Sequence, residues 1–355
     1  MKRAAPGRAA TAGPLLGRGL ALLASALLVC SIAGGPALAA GLGRGSGGMT
    51  GAEVVEITGL DGVITETLHS SRHKATAVAF LEPGADRESL ALVRDGHPFV
   101  VAKSRVDGLI GWSLDQNLLA YIIFRDNRQL LCLYNPTARS LDFDDLPGEA
   151  GGKVRGGGWT ATGEVVLYSG DGLFTRAGTG DWSFSAFPQG FRLLPGPRFT
   201  TAIIGGCGTE ILGIDHDCLA VWDIVTGAVR RGPSARGVQD AGLTMRGNHV
   251  WVTKVGRVTS LLVYDIHWRH LGRRDGLAAP GVASSRHGWD LFYLTDVRGR
   301  VGVGRWDLGH NRRYDLGLLP AGAKPLGLAI SDDDRRLLVR VQEKGTMIEV
   351  PLKIE

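Results

Sequence analysis

The feature that most constrains this chain is a repeat. Residues 111 to 139, GWSLDQNLLAYIIFRDNRQLLCLYNPTAR, hold three short apolar runs separated by polar turns. The runs are rich in Leu, Ile and aromatic residues and bounded by Asp, Asn and Pro, which are strand signals, and no helical period competes with them. The same figure returns from Gly158, Ile204 and Thr244, then in SSRHGWDLFYLTDVRGRVGVGRWDLGHN, and again in ISDDDRRLLVRVQEKGTMIEVPL. Its clearest marker closes the third strand: Tyr134-Asn135, Trp222-Asp223, Tyr264-Asp265 and Trp306-Asp307, at gaps of 88, 42 and 42 residues. The first gap is two repeats of 44, with Arg176-Ala177 as the weak match between them. An aromatic followed by Asp or Asn suits an outer hairpin, the ring packing between sheets and the polar group capping the turn.

A period of about 40 to 45 residues carrying four strands is the mark of a β-propeller. The expected fold is therefore all-β, a single propeller over residues 53–355. Six units are visible from Ile110 onward, and a seventh fits residues 76–104 with TAVAFLE as an inner strand. The last unit ends after three strands, while EVVEIT (53–58) and GVITETL (62–68) stand unassigned at the other end. The economical solution is seven blades closed by an N-terminal strand, with six or eight as the alternatives.

These repeats resemble the TolB-like, WD-like bacterial β-propeller superfamily, whose blades read roughly W-S-P-D-G, an apolar strand, then a hairpin ending in aromatic-x-Asp-x-x-T-G. The matching stretches are Trp112-Ser113-Leu114-Asp115, Ile330-Ser331-Asp332-Asp333 and Trp222-Asp223-Ile224-Val225-Thr226-Gly227. The Pro-Asp-Gly turn is never complete, and no separate N-terminal domain of the TolB kind is visible. The resemblance implies a fold and leaves activity open, because propellers host binding modules and enzymes alike.

The N-terminus has a different character. A basic stretch without acids leads into LALLASALLVCSIAGG and then Pro36-Ala37-Leu38-Ala39, the order of a secretory signal peptide. Its apolar stretch is shorter than the ~20 residues that span a bilayer. The reading is a signal peptide over 1–39, a Gly-rich linker over 40–52, no transmembrane segment in the mature chain, and a periplasmic or secreted protein. Lipidation at Cys30 and translation from Met49 are the alternatives. Lys2, Arg3, Arg8 and Arg18 leave with the signal, which brings the formal charge of +5 down to about +1. A nearly neutral chain gives no reason to expect nucleic acid as a partner.

No G-x-S-x-G, H-E-x-x-H, C-x-x-C-H or P-loop pattern occurs, so no cofactor and no metal are expected. His69 and His73 in HSSRH, the turn Asp215-His216-Asp217, and the runs Asp142–Asp145 and Asp332-Asp333-Asp334 read as solvated turns. Cys132 reads as a buried thiol. A disulfide between Cys207 and Cys218 stays open, with the strand register placing the two far apart.

One asymmetry points to function. In a propeller blade the turns joining the second and third strands share a face with the connections between blades. Those segments hold Arg125, Arg128, Lys254, Arg257, Arg298 and Arg300, and on this register also Arg230, Arg231, Arg273 and Arg274. The expected function is a scaffold whose basic loop face binds a protein or an anionic envelope component. The alternative is a propeller enzyme, a lactonase or a glycan hydrolase or lyase, with its site at the central channel and Glu82 as the nearest carboxylate.

Overall fold

The computed structural model describes residues 52–113, 117–146, 153–154, 156–159, 163–176, 180–194, 210–244 and 247–352. Its regular elements are all strands, and every paired neighbour runs antiparallel. Four sheets are each built from four consecutive strands. They comprise β9 to β12 (Gly156–Trp159, Val165–Tyr168, Gly172–Arg176, Ser183–Ala186) and β13 to β16 (Phe191–Arg192, Glu210–Asp215, Cys218–Asp223, Val229–Ser234). Next come β17 to β20 (Val238–Leu243, His249–Lys254, Ser260–Asp265, His270–Asp275) and β21 to β24 (Leu277–Ser284, Asp290–Val297, Arg300–Asp307, Arg312–Leu318). A fifth joins the two ends of the described chain: β25 to β27 (Pro325–Ile330, Arg336–Val341, Thr346–Pro351) carry β1 (Glu53–Glu56) as their outer strand. β1 pairs with β27 from Glu53 opposite Glu349 to Glu56 opposite Thr346.

The sixth sheet has seven strands: β2 (Val63–Ser70), β3 (Ala75–Leu81), β4 (Glu88–Arg94), β5 (His97–Trp112), β6 (Leu119–Arg125), β7 (Arg128–Asn135) and β8 (Ser140–Asp145). The 16-residue β5 makes this possible, pairing with β4 through its first half and with β6 through its second. The molecule is a single β-propeller.

Burial explains why these sequences take these positions. Second and third strands are flanked by sheets on both sides, so they read as near-continuous apolar runs: ATAVAFL in β3, LAYIIFR in β6, CLAVWD in β15. Outermost strands face water and turn polar, as in SLDFDD of β8 and RRYDLGL of β24. The innermost strands converge on the axis and need small residues. A Cβ on Gly281 of β21 would lie 2.9 Å from the Cα of Gly327 in β25, so only glycine permits that approach.

The repeat marker falls where the sequence placed it, closing β7, β15, β19 and β23. Asp223 Oδ1 accepts the backbone N–H groups of Val225 and Thr226 at 2.9 and 3.2 Å, and Asp265 Oδ1 those of His267 and Arg269 at 2.9 and 2.8 Å. Asn135 and Asp307 cap their turns in the same way. Trp306 is fully buried, packed with Trp251, Leu261 and Val263 of the neighbouring sheet.

One expectation fails. TAVAFL is the second strand of its sheet, not the inner one; VITETLHS of β2 lies inside it and touches the inner strands β25 and β5. The β3 run misled because its unbroken hydrophobicity marks burial on two faces, which a second strand shares with an inner one.

Candidate functional site

Two faces of the disc carry polar residues, and they use them differently. The first holds the turns between second and third strands. Arg125 and Arg128 flank Asp126-Asn127, whose φ values of 49° and 65° make a tight two-residue hairpin. Both arginines are exposed; Arg125 pairs with Asp126 at 3.3 Å and Arg128 with Asp145 at 2.8 Å. Lys254 ends β18, and Arg257 follows in the same turn. Arg298 and Gly299 form the β22–β23 turn, and Arg300 opens β23, its Nη2 donating to the Leu319 carbonyl at 3.5 Å. Lys254, Arg257 and Arg298 make no ion pair with a described residue. They sit on two consecutive sheets, β17 to β20 and β21 to β24.

The face is not uniformly basic. Its Asp215-His216-Asp217 turn is a hairpin in which the buried Asp215 is held by Arg231 and by His216 Nδ1 at 2.6 Å, and the Arg231 hydrogen bond lowers its pKa. Glu82 lies in the β3–β4 turn of this face, 4.0 Å from Lys103 and accepting from Ser104 Oγ at 3.1 Å, rather than at the channel. Arg230, Arg231, Arg273 and Arg274 also leave the loop set, because they belong to the outermost strands β16 and β20.

The opposite face holds the turns between first and second strands. Here the structure joins two motifs that the sequence leaves apart, HSSRH and Asp332-Asp333-Asp334. Asp332 Oδ1 accepts the Ser71 N–H at 2.7 Å and the Ser71 hydroxyl at 2.5 Å, and Oδ2 accepts the Ser70 hydroxyl at 3.2 Å. These bonds stitch β2 to the β25–β26 turn. Beside them opens a cleft of about 590 Å³, lined among others by His69, Lys74, Thr76, Arg335, Met347 and Glu349.

His69 is buried, its Nδ1 2.9 Å from Thr76 Oγ1, and burial lowers its pKa, with Arg336 adding to the effect. Ser71, His69 and Asp332 are the residue types of a nucleophilic triad, but the wiring differs. The serine donates to the aspartate and the histidine engages a threonine, so the serine–histidine pairing of a triad is not formed.

A recurring hydroxyl organises this face, and a period count could have found it. Ser113, Thr244, Ser285 and Ser331 each accept the backbone N–H of the residue five places on, closing the first turn of their sheets at 2.9 to 3.3 Å. Among the described residues no group of three or more His, Cys, Asp or Glu is arranged to hold a metal ion. Cys132 is fully buried, and burial pushes its thiol up to about 12. Cys218 opens β15 as a free, half-buried thiol, while Cys207 lies outside the described residues.

No family model and no curated protein matches the chain. Solved structures do. The β-propeller domain of Cps50 (Swd1) from Myceliophteria thermophila is 12% identical, covering 86% of this chain and 100% of its own, at a TM-score of 0.58. The WD40 repeats of RRP9 are 13% identical, over 85% of this chain and 97% of that one, at 0.61. A chain of a mitotic checkpoint complex is 12% identical, over 85% and 95%, at 0.60. At such identities the likeness shows the fold alone, which is a WD40-like β-propeller. Among the described residues no helix is long and apolar enough to cross a membrane.

Proposed function

We propose that this chain is an exported binding scaffold, a seven-bladed relative of the TolB-like propellers that grips an acidic protein surface or an anionic envelope component through its basic turns. The observation that carries it is the set Lys254, Arg257 and Arg298: exposed or half-exposed, without an ion-pair partner among described residues, on neighbouring sheets of one face. Cations left unpaired beside one another repel, a cost that an anionic partner removes.

Seven blades are supported by the length of β5, which serves a four-stranded unit on each side and so divides the seven-stranded sheet into two. Closure is supported by β1 lying on β27, the outermost position of the last sheet. Export is supported by the basic, apolar and Ala-x-Ala segments of residues 1–39. The use of WD40 propellers as protein-binding platforms agrees with this reading.

The test has two parts. Mass spectrometry of the secreted or periplasmic fraction is expected to find a chain starting at Ala40; intact Met1 in the cytoplasm overturns export. The triple reversal Lys254→Glu, Arg257→Glu, Arg298→Glu is expected to abolish capture of partners from the native host. Arg139→Glu, in the β7–β8 turn of the opposite face, is expected to leave capture intact. Equal capture by both variants overturns the binding face.

A further inference from the structure

The outer wall of the propeller is charge-separated around its circumference. The outermost strands β16, β20 and β24 belong to three consecutive sheets and hold six arginines against two aspartates. The arginines come as adjacent pairs, Arg230-Arg231, Arg273-Arg274 and Arg312-Arg313, at spacings of 43 and 39 residues, so the pair is part of the repeat. The outermost strands β1 and β8, elsewhere on the ring, hold five carboxylates and no arginine or lysine. Arginine used only for solubility would be scattered over the turns of all sheets, and this pattern is confined to one arc.

The arc is also closely packed. A Cβ on Gly232 of β16 would lie 2.2 Å from the Trp268 ring, and one on Gly272 of β20 would lie 2.6 Å from Trp306. In each case the glycine next to the arginine pair seats the tryptophan of the following sheet. Trp268 Nε1 also donates to the Arg230 carbonyl at 3.0 Å, and the Arg313 guanidinium stacks 4.2 Å from the centre of the Trp306 ring. Successive side chains of a strand point to opposite faces, so each furrow between neighbouring outermost strands receives an arginine from both banks.

Only part of this charge is answered. Arg231 pairs with Asp215 and Arg273 with Asp275, whereas Arg230, Arg274 and Arg312 form no ion pair with a described residue. The Nε atoms of Arg230 and Arg274 are buried without a hydrogen-bond partner. Apolar side chains stand exposed beside the pairs, Leu271 at 37% and Tyr314 at 41%.

We propose that the wall formed by β16, β20 and β24 docks an extended acidic polypeptide segment that carries apolar side chains between its carboxylates. Carboxylates match the guanidinium fork. The outer edges of these strands carry backbone donors and acceptors at the regular spacing that a stretch of extended polypeptide matches and the hydroxyls of a polysaccharide do not. Leu271 and Tyr314 give the apolar side chains a seat. The wall is convex, so a flexible segment can follow it where a flat anionic surface meets one strand at a time.

The test uses the mature chain and a fluorescent peptide of alternating glutamate and tyrosine, followed by anisotropy. Saturable binding is expected, and Arg273→Glu with Arg274→Glu, or Arg312→Glu with Arg313→Glu, is expected to weaken it at least about tenfold. The lysine versions of the same pairs are expected to retain binding within about threefold, since charge and strand are kept. Arg139→Glu, in the β7–β8 turn, is expected to leave it unchanged, and a loss seen only with Lys254→Glu and Arg257→Glu would place the peptide on the turn face and overturn the proposal. No binding, or binding indifferent to the four wall reversals, overturns the proposal. A sulfated dextran that binds better than the peptide at equal charge overturns the polypeptide reading. So does sedimentation showing that the wall is occupied by the acidic β1 or β8 strand of a second copy.

Discussion

The two faces of the disc spend similar residues on opposite ends. On the face of the first turns, charge and hydroxyl are consumed internally: Asp332 holds Ser70 and Ser71, Ser331 holds Asp333 at 2.6 Å, and Arg336 holds Glu349 at 2.9 Å. On the face of the basic turns, Lys254, Arg257 and Arg298 hold nothing described. The first face joins the two ends of the described chain through Asp332, so that carboxylate and the hydroxyls it holds are committed to the fold. The second face has its own seam, where Lys344 Nζ donates to Asp61 Oδ1 at 3.0 Å and the Gly345 N–H to the Gly62 carbonyl at 2.8 Å, but Lys254, Arg257 and Arg298 stand on other sheets and make no ion pair with a described residue. A charge run in the sequence therefore says little until the topology shows whether a distant strand arrives beside it.

The comparison can be broken by removing what one face depends on. The largest effect is expected from deleting residues 40–56, which strips β1 from β27. Four residue pairs and the half-buried Val55 are lost, and stability should fall by at least about 3 kcal/mol in chemical denaturation. An unchanged midpoint would show that the β1–β27 pairing contributes nothing to stability. Next in size is Asp332→Ala, which leaves the Ser70 and Ser71 donors unanswered and is expected to cost about 2–3 kcal/mol. A cost no larger than that of an exposed charge would mean that the two faces do not differ.

A smaller effect concerns pH. Burial depresses the folded pKa of His69 below its unfolded value of about 6.5, so the unfolded chain takes up the proton first as pH falls. The stability tied to neutral His69 is complete above that value and declines as pH drops from about 7 toward 5. His69→Gln is expected to flatten this decline in melting curves. His249, also lowered by burial, supplies a residual slope of the same sign. A wild-type slope unchanged by the substitution would remove His69 from the account. The smallest effect is expected on the other face: Lys254→Glu with Arg257→Glu should shift stability by no more than about 0.5 kcal/mol, because exposed loop charges contribute little. A large loss there would place those residues in the fold.

Much of the architecture was legible because the determinants are local and repeated. The aromatic–Asp ending of β7, β15, β19 and β23 is a turn cap written within a few residues, and its period survives at the level of the sequence. The Arg176-Ala177 match was weak, yet β11 ends at Arg176. What misled was the order of strands within a sheet. β3 looked innermost because apolar runs report burial without saying against which neighbours. The same error placed Glu82 near the axis, whereas the arginine pairs fell in connections because the polar outermost strands β16 and β20 carry no apolar run to mark them.

The candidate surfaces show where such reading stops. By the repeat, Arg125, Arg128, Lys254, Arg257, Arg298 and Arg300 belong to turns between second and third strands, and they lie at the ends of those strands or in those turns. Which of them have partners was not legible, since Asp145 reaches Arg128 from another strand while Lys254, Arg257 and Arg298 make no ion pair with a described residue. Nor did HSSRH and Asp332 announce their meeting across a separation of 261 residues between Ser71 and Asp332.

By itself, then, the sequence determined the period, the turn caps, the alternation of apolar strands with polar connections and the near-neutral charge left once residues 1–39 are set aside. All of these follow from interactions within a few residues or from simple counts. Only the tertiary structure decided which polar residues are spent and which are free. Pairing of a charge depends on what a ring of sheets brings to it from far along the chain, and the arginine pairs of β16, β20 and β24 become one wall only when three separate sheets are set side by side.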